Sequence, residues 1–173
     1  VKVSNSEAEQ DDYYVKFFGN DDRDGSGVWE ECSKPNTEIK YDPGTMPVQL
    51  VRKFQSNTVS FDLSQVTWVE SVAGDTVEDG TNPRASFVGK TINKMLFWRN
   101  RMVMLSDENV ILSQPGYFTN FWSKSAITYG AGDMIDISAS SEFPAIVYDG
   151  IHTNAGLVLF SKNQQFLLTT DSD

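Results

Sequence analysis

The stretch that decides the fold is residues 102–112, MVMLSDENVIL, in which an apolar run, a polar turn and a second apolar run follow one another. Residues 157–167, LVLFSKNQQFL, have the same arrangement. A shift of 55 residues pairs the following positions of the two copies: Val103 with Val158, Leu105 with Phe160, Ser106 with Ser161, Ile111 with Phe166 and Leu112 with Leu167. Strand hairpins that recur every ~40–50 residues are typical of β-propeller blades. The repeat therefore predicts blade-like hairpins.

The surrounding sequence consists of short runs of branched and aromatic residues separated by Gly, Pro, Asn and Asp, which indicates strands joined by turns. No segment keeps a helical apolar period over three turns. We therefore predict a mainly β protein of antiparallel, short-strand sheets with partial propeller-like blades. Under about a fifth of its residues should be helical, against a typical ~30–35%. The strands predicted in the second half are 92–99, 102–106, 110–113, 134–138, 145–148, 157–161 and 165–170.

In the first half, residues 48–52 and 58–62 are predicted to be strands on either side of a turn at 55–57. Residues 63–72 fit a strand and a short helix equally well, because their apolar positions suit both periods. Residues 117–122 are compatible with one helical turn, since the aromatic residues at 118, 121 and 122 have the spacing of one helix face.

The N-terminal part of the chain differs in composition from the rest. Residues 1–12, VKVSNSEAEQDD, are polar and acidic and are predicted to be a flexible N-terminal segment. Residues 13–46 are predicted to be an N-terminal β-hairpin unit, with strands at 13–18 and 28–32 around a long acidic tip. Prolines mark its end, and residues 47–173 then form the propeller-like β region. The chain begins with Val rather than Met, and we interpret it as a fragment of a longer chain.

Acidic residues dominate the charge of the chain: 24 Asp and Glu against 14 Lys and Arg give a formal net charge of −10. Nucleic-acid binding depends on Lys and Arg that neutralise phosphates, so this balance argues against general nucleic-acid binding and against a polybasic membrane anchor. A single cysteine, Cys32, excludes an internal disulfide. No apolar run approaches the ~20 residues of a membrane-spanning helix, so we expect no membrane insertion from this segment.

Catalytic candidates are few. The one histidine, His152, lies in a predicted loop, DGIHTN, and no nucleophile signature accompanies it. Two carboxylate pairs, Glu30 with Glu31 and Asp133 with Asp136, have the chemistry for acid–base work on a glycoside. Neighbouring residues in a strand point to opposite faces, however, and the second pair is interpreted more simply as the end of a strand. The sequence therefore predicts no catalytic residues, no cofactor and no enzyme activity.

The only concentrated basic spot is residues 98–101, WRNR, with a predicted turn at Asn100 and Arg101. An aromatic ring beside two arginines suits stacking on a base or binding of a phosphate. The alternative is a hairpin turn whose arginines are solvated or pair with acidic side chains.

Residues 20–31 have the spacing of an EF-hand calcium loop. The loop positions 1, 3, 5, 6 and 12 are occupied, in order, by Asn20, Asp22, Asp24, Gly25 and Glu31. Hard oxygen ligands folded around a glycine turn suit a hard cation. Position 1 is Asn rather than Asp and the flanks are predicted strands, so the alternative is a solvated acidic hairpin tip. We expect that folding requires no metal.

Five stretches taken together resemble a known family. Residues 45–52 read TMPVQLVR, residues 82–89 NPRASFVG, residues 97–101 FWRNR, residues 105–113 LSDENVILS and residues 118–122 FTNFW. In this order and at similar spacing they resemble the tail tubular protein B, or nozzle, family of short-tailed, podovirus-type bacteriophages. Three positions depart from the family pattern: Val48 replaces a histidine, and Ala85 and Met134 replace prolines.

The resemblance implies a structural virion protein of the phage tail, made in the bacterial host cytoplasm. It implies a homo-oligomeric ring that contacts other phage tail proteins, is built partly of propeller-like blades and lines the DNA exit channel. Phage DNA would then be passing cargo rather than a bound partner. None of the matched residues is catalytic in the family, so the resemblance implies no site residues.

Two other functions stay open on the residues alone. A β-rich carbohydrate-binding or adhesin module of a phage tail is suggested by the surplus of Trp, Tyr and Phe beside acidic loops. A hydrolase that uses a carboxylate pair is the third possibility. Saturable binding to a glycan array would favour the carbohydrate-binding module over the structural protein.

Overall fold

The computed structural model describes residues 1–4, 12–20, 25–139 and 143–169. Within these residues the chain forms antiparallel sheets and no α-helix, which confirms the mainly β class. The strands are β1 (Lys2–Val3), β2 (Tyr13–Gly19), β3 (Gly27–Cys32), β4 (Val48–Gln55), β5 (Thr58–Gln65), β6 (Ile92–Trp98), β7 (Arg101–Ser106), β8 (Asn109–Leu112), β9 (Ile135–Ser138), β10 (Val147–Thr153), β11 (Gly156–Ser161) and β12 (Gln165–Leu168).

The strands form four separate sheets in the described part of the chain, and each sheet joins strands that are consecutive in the sequence. We call β6-β7-β8-β9 the central sheet, β10-β11-β12 the C-terminal sheet and the two-stranded sheet β4-β5 the ribbon. The remaining sheet is β1-β2-β3, whose hairpin β2–β3 matches the predicted N-terminal hairpin. Most of these pairs follow from short turns, since a short connection can only return the chain antiparallel to the strand before it. β8 and β9 pair although a long connection, residues 113–134, joins them.

The predicted flexible segment 1–12 lies partly in a strand. β1 pairs with the start of β2, and the amino group of Val1 donates a hydrogen bond to the carbonyl of Val15 at 2.7 Å. Residues 5–11 lie outside the described residues. The division of the chain after residues 12 and 46 stays a prediction.

The C-terminal sheet repeats the central sheet at the predicted spacing of 55 residues, and the repeat covers three strands rather than two. Cross-strand partners correspond pair by pair: Met95–Met104 with Gly150–Leu159, Leu96–Val103 with Ile151–Val158, Met104–Ile111 with Leu159–Phe166 and Val103–Leu112 with Val158–Leu167. The same shift of register occurs at Ile92/Lys94 and at Val147/Asp149. The two sheets are therefore the same structural unit used twice.

The two middle strands of the central sheet, β7 and β8, are buried on both faces, between two apolar cores. The first core consists of Tyr41, Met46, Trp68, Ala85, Phe87, Met104, Ile111, Phe121, Trp122 and Met134. The second core, between the central and C-terminal sheets, consists of Trp98, Val103, Leu105, Val110, Leu112, Val147, Leu157 and Leu159. Successive residues of β7 and β8 alternate between the two cores because successive side chains of a strand point to opposite faces.

The two sheets approach closely at Gly150 in β10. A Cβ atom at this position would lie 3.2 Å from Cδ2 of Leu96 and 3.2 Å from Cδ2 of Leu159, so a side chain would push β10 away from the central sheet. Polar contacts join the same strands: Asn93 donates from Nδ2 to the carbonyl of Val147 at 3.1 Å, and Lys94 pairs with Asp149 at 3.0 Å. Lys94 and the backbone amide of Gly150 lower the pKa of the Asp149 carboxyl.

The turn between β6 and β7 lies one residue earlier than predicted. Arg99 and Asn100 have φ values of 47° and 58°, so they form the two-residue turn, and Arg101 is the first residue of β7, opposite Trp98. Two left-handed residues match the twist of a tight hairpin. The predicted turn at Asn100 and Arg101 is therefore corrected, and this moves Arg101 from the turn into a strand.

The helical turn predicted at 117–122 is wrong. Gln114 and Tyr117 form an isolated bridge, and the amide of Gln114 bonds to the carbonyl of Asn120 at 2.9 Å, so this segment is a loop closed on itself. Its aromatic side chains do not share a face, since Phe121 is fully buried whereas Phe118 is 38% exposed. For the ambiguous segment 63–72, β5 continues to residue 65 and irregular backbone follows.

We expect the Phe121→Ala substitution to lower the free energy of unfolding by about 3–5 kcal/mol, because it opens a cavity in the first core. Phe121 is fully buried and packs edge-on against Phe87, with ring centroids 5.3 Å apart. The matched control is Phe54→Ala in the ribbon, where the side chain is 64% exposed and a change within about 0.5 kcal/mol is expected. Urea unfolding followed by tryptophan fluorescence measures both, and equal losses would contradict this division between core and ribbon.

Candidate functional site

Arg101, part of the predicted basic spot, is a buried structural residue. It is 8% exposed, and its guanidinium donates to three carbonyls: from Nη1 to Ser113 at 2.7 Å and to Asp133 at 2.5 Å, and from Nη2 to Ala131 at 2.6 Å. Burial lowers the pKa of this guanidinium, and the nearby Tyr129 and Asp133 oppose that effect. The five donors of a guanidinium suit this task, because they reach several backbone oxygens in one plane. Arg101 therefore fastens loop 113–134 to β7.

Of the basic spot, Arg99 is the arginine that lies in the turn. Its guanidinium carbon is 5.2 Å from the centroid of the Trp98 ring, which is a cation–π distance. Trp98 itself is buried in the second core and presents no free ring for a base. The structure therefore keeps Arg99 beside a buried Trp98 and removes Arg101 from the basic spot that the sequence predicted.

Asp133 and Asp136 do not form an acid–base pair. Asp133 is 5% exposed, and its two carboxylate oxygens accept hydrogen bonds from the amides of Lys124 and Gly130, both at 2.8 Å. Asp136 accepts from the amide of Ser86 at 2.7 Å with Oδ2. Each carboxylate thus holds a different loop, and each of its two oxygens accepts a hydrogen bond from the protein.

The loop at 82–89 is held onto the central sheet through Asp136 and Asn109. Asn109 donates from Nδ2 to Oδ1 of Asp136 at 3.1 Å and to the hydroxyls of Ser86 and Ser138, both at 3.2 Å. These groups line a polar surface cavity of about 550 Å³ together with Arg84 and Lys90. Because Ser86, Asn109, Asp136 and Ser138 are hydrogen-bonded to one another, this cavity lies where loop 82–89 is attached to the central sheet.

Asn82 is a buried hydrogen-bonding centre that sequence reasoning missed. It is 2% exposed, donates from Nδ2 to the carbonyls of Ala73 and Ser123, and accepts from the amide of Ser123, each at 3.0 Å. An asparagine before a proline had indicated only a loop. The one sequence feature that could have drawn attention to Asn82 is its place in the NPRASFVG string. That string indicated the family but not the structural role of this residue.

Two further side chains tie loop 113–122 into the first core. Tyr41 donates its hydroxyl to the carbonyl of Phe121 at 2.9 Å, and Gln114 donates from Nε2 to the carbonyl of Trp122 at 2.7 Å. The Trp122 indole donates in turn to the carbonyl of Val69 at 2.8 Å. Burial raises the pKa of the Tyr41 phenol far above its ordinary value, so Tyr41 remains a donor at any physiological pH.

His152 and the Glu30–Glu31 pair are not brought together with partners for catalysis. His152 is an exposed residue of β10, opposite Leu157, so the predicted loop DGIHTN is largely a strand. Glu30 and Glu31 follow one another in β3 and so point to opposite faces. Oε1 of Glu31 accepts from the amide of Ala126 at 2.6 Å, which commits this carboxylate to another loop.

The predicted calcium loop is described only in part. Asn20 closes the turn by donating from Nδ2 to the hydroxyl of Ser26 at 3.1 Å, and Glu31 at position 12 is engaged with Ala126. Asp22 and Asp24 lie outside the described residues. Among the residues that are described, no group of three acidic, histidine or cysteine side chains is placed to hold a metal ion.

A second surface cavity, of about 340 Å³, has an apolar floor. Tyr41, Met46 and Phe87 contribute to it, and the ion pair of Arg84 with Glu38, at 2.8 Å, lies on its rim. The floor residues belong to the first core. This cavity is therefore a depression in the surface of the first core, and its floor consists of packing residues.

Of the aromatic residues that suggested carbohydrate binding, the tryptophans are mostly internal, whereas many Phe and Tyr side chains, such as Phe97, Tyr117 and Tyr129, are exposed. Trp68, Trp98 and Trp122 are buried, whereas Trp29 is 57% exposed and packs against Phe17. A sugar-binding platform needs exposed aromatic faces, and three of the four tryptophans offer none.

No helix in the described ranges is long and apolar enough to cross a membrane.

The outer face of the C-terminal sheet, which is turned away from the central sheet, can be compared with the equivalent face of the central sheet one repeat earlier. Ile151, Phe160 and Leu167 are 55%, 37% and 52% exposed. Their equivalents in the central sheet, one repeat earlier, are Leu96, Leu105 and Leu112, which pack in the second core against the C-terminal sheet. The same face of the same unit is thus covered in the central sheet and uncovered in the C-terminal sheet.

Comparison with known proteins gives a consistent result. The sequence model of the bacteriophage nozzle protein family matches residues 1–173. The chain is also 35% identical, over 167 residues, to the tail tubular protein gp12 of Escherichia phage T7. That match covers 96% of this chain and 20% of the relative, so the chain spans about a fifth of the length of that protein.

Arg101→Met should lower the free energy of unfolding by about 3–5 kcal/mol, because it leaves three buried or partly buried carbonyls without their charged donor. Arg101→Lys should recover only part of this loss, since an ammonium cannot reproduce the planar fork. Arg99→Met removes a neighbouring cation from the turn and should cost less than about 1 kcal/mol. Urea unfolding measures all three variants. Comparable effects of the two methionine variants would refute the structural role of Arg101.

Proposed function

The chain belongs to the bacteriophage nozzle protein family, and from this membership we propose that it is a structural part of a phage tail. In this proposal it belongs to a homo-oligomeric ring that contacts other tail proteins and surrounds the DNA exit channel. It is made in the host cytoplasm, ends in the virion and catalyses no reaction.

Several buried or half-buried polar side chains of the protein are hydrogen-bonded to its own backbone, which supports a structural role rather than a catalytic one. Arg101, Asp133 and Asp136 bind backbone groups of loops, and Asn82 does the same in the first core. A catalytic carboxylate needs an oxygen within reach of substrate. The carbohydrate-binding alternative gains no support from the buried tryptophans or from the family comparisons.

The outer face of the C-terminal sheet is the observation that carries the architectural part of the proposal. It is the equivalent, one repeat later, of a face that is covered by the next sheet. A third unit of the same kind, placed after the C-terminal sheet, would cover Ile151, Val158 and Leu167 as the C-terminal sheet covers the central one. Successive sheets stacked face to face in this way are the arrangement of propeller blades. The chain then contributes part of a propeller-like region.

Ring formation fits the charge of the chain. A channel that lets a polyanion pass must avoid a wall of Lys and Arg, since each phosphate contact holds the duplex and releases counterions. The net charge of −10 and the burial of Arg101 agree with a wall that does not grip DNA. The tail location is carried over from a relative, the tail tubular protein gp12 of Escherichia phage T7.

Electron cryomicroscopy of the virion tests the proposal. We expect density for this chain in a ring at the tail end, with a third sheet covering the outer face of the C-terminal sheet. Density for the chain at another place in the particle would overturn the tail role. A ring in which some other element covers Ile151 and Val158 would leave the tail role standing and refute the propeller-like stacking.

DNA binding gives a second test. The chain of 173 residues should not bind labelled duplex DNA detectably at ~0.15 M salt, measured by fluorescence anisotropy, because its net charge repels phosphates. Arg99→Glu is the informative variant, since Arg99 lies in a turn and Arg101 is buried. Both proteins should behave alike. Tight, salt-sensitive binding that Arg99→Glu abolishes would refute the hypothesis that DNA only passes through the channel. It would show instead that the protein binds the genome through Arg99.

A further inference from the structure

The ribbon is a preformed arm without a core of its own. Its two strands, Val48–Gln55 and Thr58–Gln65, have eight residues each, and all of them are exposed except Ser64, which is half-buried. Ser56 and Asn57, with φ values of 48° and 64°, form the tight two-residue turn that presets the hairpin. Eight residues at ~3.4 Å each make an arm of about 27 Å.

One face of the ribbon is apolar. Strand alternation and the cross-strand register place the following side chains on that face: Val48, Leu50, Arg52, Phe54, Val59, Phe61, Leu63 and Gln65. Its apolar members are between 44% exposed, at Val59, and 70% exposed, at Leu63. The opposite face carries mostly polar side chains, and on it Lys53 forms an ion pair with Asp62. The ribbon is thus amphipathic, with its apolar side uncovered by the described residues.

The size of this face is that of an interaction surface. Six apolar side chains exposed to this degree offer on the order of 600 Å², compared with roughly 800 Å² per partner in a standard interface. An isolated two-stranded hairpin is marginally stable in water. Exposed apolar patches of this area on soluble proteins mark sites of contact with another surface. The ribbon therefore gains stability when its apolar face is covered.

Charge indicates the kind of surface that covers it. Residues 48–65 contain two basic residues and one acidic residue, a charge of +1, so the rest of the chain carries −11. Because Lys53 and Asp62 pair on the polar face, the excess positive charge is Arg52, which lies on the apolar face and forms no ion pair with another described residue. The complementary surface is apolar and acidic, and a second copy of this chain carries the required acidic excess.

We propose that the ribbon is a clasp between copies of this chain, with the apolar face formed by Leu50, Phe54, Phe61 and Leu63 docked on a neighbouring copy. The clasp deepens the proposed ring by naming the surface that joins its subunits. The test of the clasp measures self-association of the chain and does not depend on where the chain lies in the virion. The clasp and the tail location can therefore be refuted independently of each other.

Sedimentation velocity of the chain over a wide range of concentrations tests the clasp. We expect reversible association of the 19.4 kDa chain. The double variant Leu50→Lys with Leu63→Lys should weaken association at least about tenfold, because it places two charges in the docked face. The matched control is Gln49→Lys with Ser64→Lys, the adjacent cross-strand pair on the polar face, which adds the same charge and should associate like the unmodified chain.

A second pair of variants tests the role of charge. Arg52→Glu and Lys53→Glu change the net charge equally but on opposite faces, and Arg52→Glu alone should weaken association severalfold beyond the effect of Lys53→Glu. Circular dichroism and the unfolding midpoint verify that each variant is folded, since the ribbon lies outside both cores. A chain that stays monomeric throughout, or association that survives Leu50→Lys with Leu63→Lys, would overturn the clasp and assign the ribbon to another partner.

Discussion

Burial of both faces of β7 and β8, the middle strands of the central sheet, is the constraint on which the rest of the structure depends. A sheet with one wet face needs a single apolar side, whereas this one needs covering layers on each side. The first core supplies one layer from irregular loops, and the C-terminal sheet supplies the other. This explains why β7 and β8 are continuous apolar runs instead of alternating ones. β11, with the run LVLF, has the same character although its outer face is uncovered within this chain.

The irregular side of the molecule creates a different requirement. The long connections at 66–91 and 113–134 have few strand partners, and buried backbone groups must still be hydrogen-bonded. Side chains do this work: Asn82, Arg101, Gln114 and Asp133 bond to backbone amides and carbonyls of these connections. Each of them would be unfavourable in the core if unpaired, and together they hold one arrangement of the loops. Two of these residues, Asn82 and Arg101, lie in the strings NPRASFVG and FWRNR that carry the family resemblance.

The described residues leave two of the apolar surfaces discussed above uncovered, and these two differ in origin. The outer face of the C-terminal sheet belongs to a repeating unit, so its natural cover is another unit of the same kind. The ribbon belongs to no repeat, has both of its strand edges unpaired in the described residues and extends away from the cores. The proposed clasp covers it by association between molecules. The proposed ring uses surfaces of both kinds, one to continue the subunit and one to join it to its neighbour.

The sequence by itself determined most of the strands and hairpins and the 55-residue repeat, because strand propensity, alternation and turn residues act over a few neighbouring positions. It placed most of β10 in a loop, however. It also established the acidic charge and, through NPRASFVG and LSDENVILS, the family. Only the tertiary structure decided that Arg101 is a buried clamp rather than a solvated turn residue, since a one-residue difference in the turn moves a side chain from solvent into a strand. It alone decided that loop 117–122 is not helical, because Phe121 is drawn into a core made by residues far away in the chain. Burial depends on long-range packing, which local residue patterns do not encode.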